Sequence, residues 1–218
     1  MAMKLVTEPY LTQVDRLPKT GNHILAQFED NSIVVYQAYR PAIGNFAATQ
    51  GYFGGEFSFE RMSWIKPNFL WMMYRSGWGT KVNQEITLAM RLKRSAFDDI
   101  LAQAVYSTFV PEIYTNELDW KKAVRVSNVR LQWDPDHCPS GGKLARRAIQ
   151  LGLRGDVLKA YAKEWIIDIE DISEFVQQQR QNILPGYAQL ITPRETVYPV
   201  VNIDTNIKLE LAPNPACN

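Results

Sequence analysis

Alternation of apolar and polar side chains predicts four strands in the middle of the chain. Residues 32–39 (SIVVYQAY) are rich in β-branched and aromatic side chains, and residues 57–65 (FSFERMSWI) alternate. Residues 85–95 (EITLAMRLKRS) place apolar groups at every second position, which is the period of an amphipathic strand. Residues 124–133 (VRVSNVRLQW) alternate with a change of phase at Asn128, which predicts a bulge in that strand.

Other segments carry helical signals. Residues 41–50 begin with a proline at the first turn and precede Gly51, a common helix stop. Residues 96–105 (AFDDILAQAV) place apolar side chains on one side of a helix, and residues 144–164 are predicted to be helical with a break near the middle. The apolar run at residues 68–77 (NFLWMMYRSG) fits either a buried helix or a strand, because short runs do not decide between the two.

The order of these elements predicts the fold class and the domain organisation. Residues 165–183 begin as a strand and continue as a helix. Short strands that alternate irregularly with helices favour an α+β fold, with a mixed, mostly antiparallel sheet and helices at its face and ends. We expect residues 1–22 to form an N-terminal arm, residues 23–183 a single α+β domain, and residues 184–218 a C-terminal tail packed on that domain.

Composition narrows the classes of function. The 218 residues are 46% hydrophobic, which allows a sizeable core, and 24 basic against 23 acidic side chains give a net charge of +1. A phosphate or nucleic-acid site must therefore be a local patch. No run of about 18 apolar residues occurs and the start lacks a signal-peptide core, so we expect a cytoplasmic protein without a membrane partner. The two cysteines, Cys138 and Cys217, argue against a disulfide framework.

Residues 61–80 (RMSWIKPNFLWMMYRSGWGT) combine aromatic and basic side chains and contain no acidic residue. Aromatic rings stack on bases and arginines pair with phosphate, so this stretch predicts a pocket for a flat, negatively charged ligand. Its candidate ligand-binding residues are Trp64, Lys66, Tyr74, Arg75 and Trp78. The alternative is a buried aromatic layer from which Lys66 and Arg75 extend to solvent.

A second candidate site lies at the end of the strand predicted at residues 32–39. Gln37 and Tyr39 point to one face of that strand, just before a helix start whose free backbone N–H groups can hold an anion. This arrangement suits a ligand site. In the alternative interpretation, both side chains are partly buried and form hydrogen bonds across the sheet.

The sequence DPDHCPSGGK supplies a third candidate. Asp134, Asp136 and His137 form a compact ionisable group, but a metal site would need a further ligand from elsewhere, so a turn is favoured and no metal is predicted. The glycine-rich turn leads through Lys143 into the predicted helix that carries Arg147. This order resembles a phosphate-binding turn, although the full P-loop pattern is missing.

Four stretches of the chain carry a resemblance to a known family. They are VYQAY, SWIKPNFLWMMYRSGWGT, RLQWDPDH and RRAIQLGLRG. Together they resemble the signature stretches of domain of unknown function 4291, over roughly residues 22–183. The resemblance implies a recurring domain and no activity, so the functional argument must come from the residues.

The strand end is also similar, more weakly, to the first strand of ADP-ribosyltransferases. Those enzymes have an aromatic residue, a histidine or arginine, a small residue and a hydroxyl residue, followed by a helix and a glycine. Here Tyr36-Gln37-Ala38-Tyr39, the helix and Gly51 occupy comparable places, with Gln37 where a charged residue would hold the NAD ribose. The acidic catalytic position has its nearest counterparts in Gln132 and Asp134. The similarity implies fold-level analogy.

These candidates predict a site for a phosphate-bearing, ring-containing ligand. In the catalytic version, NAD is the cofactor for ADP-ribosyl or nucleotide transfer, and Gln37, Asp134 and His137 take part in the chemistry. The residues predicted to contact the ligand are Tyr39, Trp64, Lys66, Tyr74, Arg75, Trp78, Lys143 and Arg147. The rival hypothesis is a non-catalytic module that binds RNA or modified nucleotides through the same aromatic and basic groups.

Overall fold

The computed structural model describes residues 5–213 and has an α+β fold with mixed, mostly antiparallel sheets, as the sequence pattern predicts. The helices are α1 (Tyr10–Val14), α2 (Pro41–Gln50), α3 (Phe69–Ser76), α4 (Arg94–Gln103), α5 (Glu117–Val126), α6 (Gly155–Ala160), α7 (Ser173–Gln181) and α8 (Ile203–Lys208), with a π-helical turn at Tyr161–Trp165. The strands are β1 (Thr7–Pro9), β2 (Gly21–Asn22), β3 (Leu25–Ala26), β4 (Ser32–Tyr39), β5 (Ser63–Ile65), β6 (Ile86–Lys93), β7 (Val105–Tyr106), β8 (Val129–His137), β9 (Lys143–Leu153), β10 (Ile166–Asp171), β11 (Ile191–Pro193) and β12 (Thr196–Val197).

Two sheets organise the molecule. The first is the antiparallel sheet β10-β6-β4. The second is built on the antiparallel pair of β8 and β9, with β7 parallel to β8 and β2 parallel to β9. Strand β5 pairs antiparallel with the end of β9. The two sheets therefore share no long strand, and their connection depends on the segment that follows β5.

A pair of backbone hydrogen bonds joins the two sheets at Lys66. The Tyr36 N–H on β4 donates to the Lys66 carbonyl at 2.7 Å, and the Lys66 N–H donates back to the Tyr36 carbonyl at 3.2 Å. Residues 63–66 thus pair with β9 at one end and with β4 at the other. Because side chains alternate along extended backbone, Trp64 and Lys66 share one face, while Ile65 is fully buried on the opposite face.

The apolar side chains form two clusters. The larger lies between the sheets and α4, and includes Val35, Phe97, Leu131 and Tyr161. The smaller cluster surrounds α3 on the other side of β4 and includes Tyr36, Phe69, Met73, Trp78 and Val176. Successive residues of β4, Val35 and Tyr36, therefore face different clusters, which fixes the strand between them.

Several predicted elements are confirmed. Strand β4 and helix α2 have the predicted bounds, and Gly51 ends α2 with a φ of +73°, a left-handed conformation that favours glycine. The undecided run at residues 68–77 contains helix α3. It begins because the Asn68 side chain accepts a hydrogen bond from the Trp71 N–H at 2.6 Å.

The interpretation of the second sheet was wrong in four places, the first of which is the strand predicted over residues 57–65, where only Ser63–Ile65 forms β5. Residues 144–153, predicted to be helical, belong to strand β9, because cross-strand pairing with β8 outweighs the helix propensity of an Ala-, Leu- and Arg-rich segment. The strand predicted over residues 124–133 is divided between the end of α5 and the start of β8. The residues Asp134 to His137, predicted to form a turn, continue β8.

The two ends of the described chain pair with each other and with the segment before β4. Strand β11 pairs with β1, and β12 pairs with β3. Cys217 lies outside the described residues. Within residues 5–213, none of the helices has both the length and the apolar character needed to span a bilayer.

Candidate functional site

A cavity of about 1000 Å³ opens at the seam where residues 63–66 join the two sheets. Each neighbouring element contributes side chains to it. They are Gln37 and Tyr39 from β4, Ser63 and Trp64 from β5, Lys66 directly after β5, Trp71 and Arg75 from α3, Gln132 and Asp134 from β8, and Gln150 from β9. The residues of β4 and those of β8 are two apart, and Trp71 and Arg75 of α3 are four apart, which are the spacings that put side chains on one face.

Gln37 and Tyr39 belong to a hydrogen-bonded chain in the wall of the cavity. The Tyr161 hydroxyl donates to Gln37 Oε1 at 2.7 Å, and Gln37 Nε2 donates to Ser63 Oγ at 2.8 Å and to the Trp64 carbonyl at 3.2 Å. The Tyr39 hydroxyl lies 2.7 Å from Ser63 Oγ. Burial raises the pKa of Tyr39, so its phenol stays protonated. These contacts match the alternative interpretation of Gln37, because its amide holds β5 against β4.

Asp134 is held by two neutral amides. Gln132 Nε2 donates to Asp134 Oδ1 at 2.8 Å, and Gln150 Nε2 donates to Asp134 Oδ2 at 2.8 Å. Gln132 and Gln150 lie directly opposite each other in the β8–β9 register, so both can reach the same carboxylate. The side chain is only partly buried, and its charge is oriented without an ion pair among the described residues.

Lys66 is a buried cation on the same cavity. Its side chain is only 6% exposed, and within residues 5–213 its Nζ has neither a hydrogen bond nor an ion pair. Burial and, to a smaller extent, the positive charge of Arg75 lower the pKa of Lys66 to about 7, and Asp134 opposes the shift. An amine that lines a cavity in a mostly buried residue, with a lowered pKa and no partner in the described part of the chain, is a functional candidate.

Two arginines at the edge of the cavity have free guanidinium groups. Arg61 and Arg75 are exposed, and neither makes a side-chain ion pair in the part of the chain that the structure describes. By contrast, Arg40 pairs with Glu56 at 2.6 Å on the same edge. Two unpaired guanidiniums and one buried amine therefore face a space that holds little compensating charge.

The Trp64 indole is seated on the backbone of Gly152. A Cβ at Gly152 would lie 3.0 Å from the indole carbons Cε2 and Cζ2 and 2.5 Å from the Met62 sulfur. The position therefore requires glycine for close approach of the ring to β9. Trp64 remains partly exposed toward the cavity, whereas Trp71 is 4% exposed and serves mainly as a wall.

Five of the predicted site residues lie outside the cavity, and Trp78, Tyr74 and His137 are three of them. The Trp78 indole nitrogen donates to the Pro139 carbonyl at 3.1 Å, and the ring packs against Phe69 in the smaller core cluster. The Tyr74 ring stacks on His137, with 3.5 Å between their centroids. Burial lowers the pKa of His137. A register shift between Pro135 and His137 separates this imidazole from Asp134 on β8.

The glycine-rich turn before Lys143 forms, but it joins β8 to β9 and does not lead into the predicted helix. Lys143 begins a strand instead of a helix, so no set of free helical N–H groups is available there. Arg147 is exposed and donates to the Trp133 carbonyl at 3.1 Å, away from the cavity. Asp136, predicted to be part of the same ligand loop, forms a buried ion pair with Arg146, with 2.5 Å between Oδ2 and Nε.

Sequence reasoning did not identify Gln150 or Ser63 as members of the site. Gln150 was missed because its segment was interpreted as a helix. The signal that could have found it is the alternation of Ile149 and Leu151 with Gln150, which marks a strand with one polar face. The Ser63 hydroxyl can be recognised as part of the site only from its hydrogen bonds with Gln37 and Tyr39. Those contacts depend on the pairing of segments that are distant in the sequence.

The chain belongs to the family described as Domain of unknown function (DUF4291), whose model matches residues 23–198. This confirms the stronger of the two resemblances. The match gives no support to the similarity with ADP-ribosyltransferases. No curated protein matches the chain. The family therefore assigns no chemistry, and the geometry of the cavity carries the functional argument.

Proposed function

We propose that the cavity binds a ligand that carries both a phosphate and a ring. The single observation behind this proposal is the set of unpaired cations, Lys66, Arg61 and Arg75, on the same cavity as the partly exposed Trp64. Arg75 and Arg61 at the edge can bind phosphate oxygens, since guanidinium groups bind them in a bidentate fashion. Trp64 offers an aromatic surface for the ring.

The size of the cavity favours a nucleotide or a ligand of similar bulk. A volume of about 1000 Å³ lies at the upper end of the range for small-molecule sites, about 300–1,000 Å³. The walls combine aromatic and apolar side chains with five amide-bearing residues, Gln37, Asn83, Gln84, Gln132 and Gln150. Amides both donate and accept hydrogen bonds, so they suit the edges of a base or the hydroxyls of a sugar.

The catalytic version of the proposal is NAD-dependent transfer of an ADP-ribosyl or nucleotide group. Asp134 supports it, because this oriented carboxylate faces the cavity and can accept a proton from an incoming nucleophile. Gln37 then acts as a positioning residue, since its amide nitrogen already has two partners. His137 takes no part in this version because it lies outside the cavity.

A non-catalytic RNA-binding role is the second candidate. Tyr74 supports it, because this side chain is 39% exposed on the same helix as Arg75. An exposed ring beside an arginine can stack on a base of a single strand while the arginine binds the backbone phosphate. In this role the ligand would extend beyond the cavity onto the surface of α3.

A thermal-shift series separates these possibilities. Melting temperature is measured with NAD, ADP-ribose, AMP, adenosine and a short single-stranded RNA, for the native chain and for Arg75→Ala. The matched control is Arg125→Ala, which removes an exposed arginine of α5 that does not line the cavity. We expect the phosphate-bearing small ligands to raise the melting temperature of the native chain and of Arg125→Ala, and adenosine to have little effect.

The outcomes assign the function. Stabilisation by RNA alone would replace the small-ligand proposal with the RNA-binding role. Consumption of labelled NAD, lost in Asp134→Asn while NAD still binds, would support the catalytic version. Absence of any shift with all five ligands would contradict the proposed function.

A further inference from the structure

The Lys66 amine combines three features that are rarely found together in a structural lysine. The Lys66 residue is only 6% exposed, it lines a large cavity, and its Nζ has no partner among residues 5–213. A lysine that only supports a fold usually reaches solvent or pairs with a carboxylate. Asp134 and Arg75 both act on its charge from across the cavity without pairing with it.

Backbone hydrogen bonds of Lys66, and not contacts of its side chain, fix the point from which the side chain extends. Lys66 forms two backbone hydrogen bonds with Tyr36, and the next residue is the proline that precedes helix α3. The side chain therefore starts from a rigid point between two sheets. A group that must approach a reacting atom closely needs a rigid support of this kind.

We propose that Lys66 Nζ is a nucleophile that forms an imine with the carbonyl carbon of a phosphate-bearing aldehyde or ketone in the cavity. This inference rests on the proposed function, since Arg75 and Arg61 hold the phosphate of that ligand. It narrows the ligand to one with a reactive carbonyl, such as the open-chain form of a sugar phosphate or an aldehyde on a ring.

The step balances without an oxidant or reductant. The neutral amine attacks the carbonyl carbon, a C–N bond forms, and the carbonyl π electrons move to oxygen. A proton passes from nitrogen to that oxygen and gives a carbinolamine. Protonation of the hydroxyl lets the nitrogen lone pair expel water, which gives a protonated imine, and loss of its N–H proton leaves the neutral imine. Addition of water reverses the sequence. Asp134 can relay these protons because it faces the same cavity and is held by Gln132 and Gln150.

Charge and burial favour the neutral amine that this step requires. The groups that act on Lys66 are Arg75 of α3 and Asp134 of β8, with Arg61 on the edge of the cavity. With its pKa near 7, about half of the Lys66 amine is neutral at pH 7, against roughly one molecule in three thousand for a lysine with the usual pKa of 10.5. The low pKa supports the inference but follows from the same burial that the geometry shows.

Reductive trapping tests the inference on the intact chain. The probe is pyridoxal 5′-phosphate, which has a ring, a phosphate and an aldehyde, and pyridoxal is its phosphate-free partner. Each is incubated with the protein at pH 7, the imine is reduced with cyanoborohydride, and the modified lysine is located by peptide mass spectrometry. Lys93, exposed at the end of β6, serves as the internal reference in the same sample.

We expect modification of Lys66 by the phosphorylated probe to exceed that of Lys93 by about tenfold or more, which corresponds to about 1.4 kcal/mol in favour of the cavity site. In Lys66→Met the adduct at this position disappears, and Lys93→Arg leaves it unchanged. The peptide map of the native chain gives the answer even if Lys66→Met does not fold.

Two results separate this inference from the proposed function. Modification spread evenly over the exposed lysines, with Lys66 untouched, overturns the imine, even where ADP-ribose raises the melting temperature. Equal trapping of both probes at Lys66 supports the imine and contradicts the phosphate site. Faster trapping of pyridoxal 5′-phosphate, reduced to the pyridoxal rate by Arg75→Ala, supports both.

Discussion

Two aspartates on one strand have opposite surroundings. Asp136 is fully buried, its Oδ2 pairs with Arg146 Nε at 2.5 Å, and its Oδ1 accepts from the His137 N–H at 2.7 Å. Asp134, two residues earlier on β8, faces the cavity and is held by neutral amides. A paired, buried charge supports the fold, whereas an oriented but unpaired one remains able to interact with a ligand.

The same contrast distinguishes the cations. Arg146 is 2% exposed and is satisfied by Asp136 and by the Pro18 carbonyl at 3.1 Å. Lys66 is nearly as buried, yet its Nζ has no partner within residues 5–213. The pairing of charges, rather than burial alone, therefore separates the structural centre from the candidate site.

The largest predicted effect concerns the structural pair. Asp136→Asn leaves Arg146 buried without a countercharge, and we expect the free energy of unfolding to fall by about 3–5 kcal/mol. The matched variant is Asp134→Asn on the same strand, which should cost about 1 kcal/mol or less because water can replace its amide contacts. Urea unfolding of both variants measures the difference. Equal losses would remove the distinction between the two aspartates.

The next prediction concerns the loss of folding stability caused by the burial of the Lys66 amine. Folding lowers the Lys66 pKa from 10.5 to about 7, so between these values the unfolded chain binds one more proton than the folded chain. The free energy of unfolding therefore rises with pH across this window, and the penalty is largest below pH 7. Lys66→Met should stabilise the protein by roughly 1–4 kcal/mol at pH 6, and the gain should shrink as the pH rises toward 10.

Thermal melting of Lys66→Met and native protein across this pH range checks the prediction. Lys93→Met is the control, because that side chain is exposed and its charge should make no pH-dependent difference of this kind. Destabilisation by Lys66→Met at every pH would indicate that the amine has a structural partner and would weaken its assignment to the site.

The smallest predicted effect concerns the amides around Asp134. Gln150→Leu removes one of the two hydrogen bonds to its carboxylate, and we expect a loss of about 0.5–1.5 kcal/mol in the free energy of unfolding. Ligand affinity should fall as well, because the carboxylate is then held from one side only. A loss as large as that of Asp136→Asn would show that Asp134 belongs to the structural centre.

Local patterns were sufficient to predict β4 and α2, two of the elements that contribute residues to the cavity. The alternation over residues 32–39, the proline of α2 and the stop at Gly51 are local signals, and the composition of residues 61–80 already indicated that aromatic and basic groups lie together. The fold class followed from the same patterns.

The rest of the site depends on contacts between distant segments. Residues 144–153 have the composition of a helix, and only pairing with β8 makes them a strand and brings Gln150 to Asp134. The burial of Lys66 depends on its backbone bridge to Tyr36 of β4, a residue that is distant in the sequence. Local composition also led us to predict Trp78 and His137 as site residues, because aromatic and imidazole side chains suit a ligand site. In the structure both side chains lie outside the cavity.

The central claim, that the cavity recognises phosphate through cations without partners, is tested most directly by calorimetric titration with ADP and with adenosine. The two ligands share the ring and the sugar and differ in the diphosphate. We predict that ADP binds the native chain at least about tenfold more tightly than adenosine, a difference of about 1.4 kcal/mol. That difference should be lost in Arg75→Ala and kept in Arg125→Ala. Equal affinity of the native chain for ADP and adenosine would contradict the account.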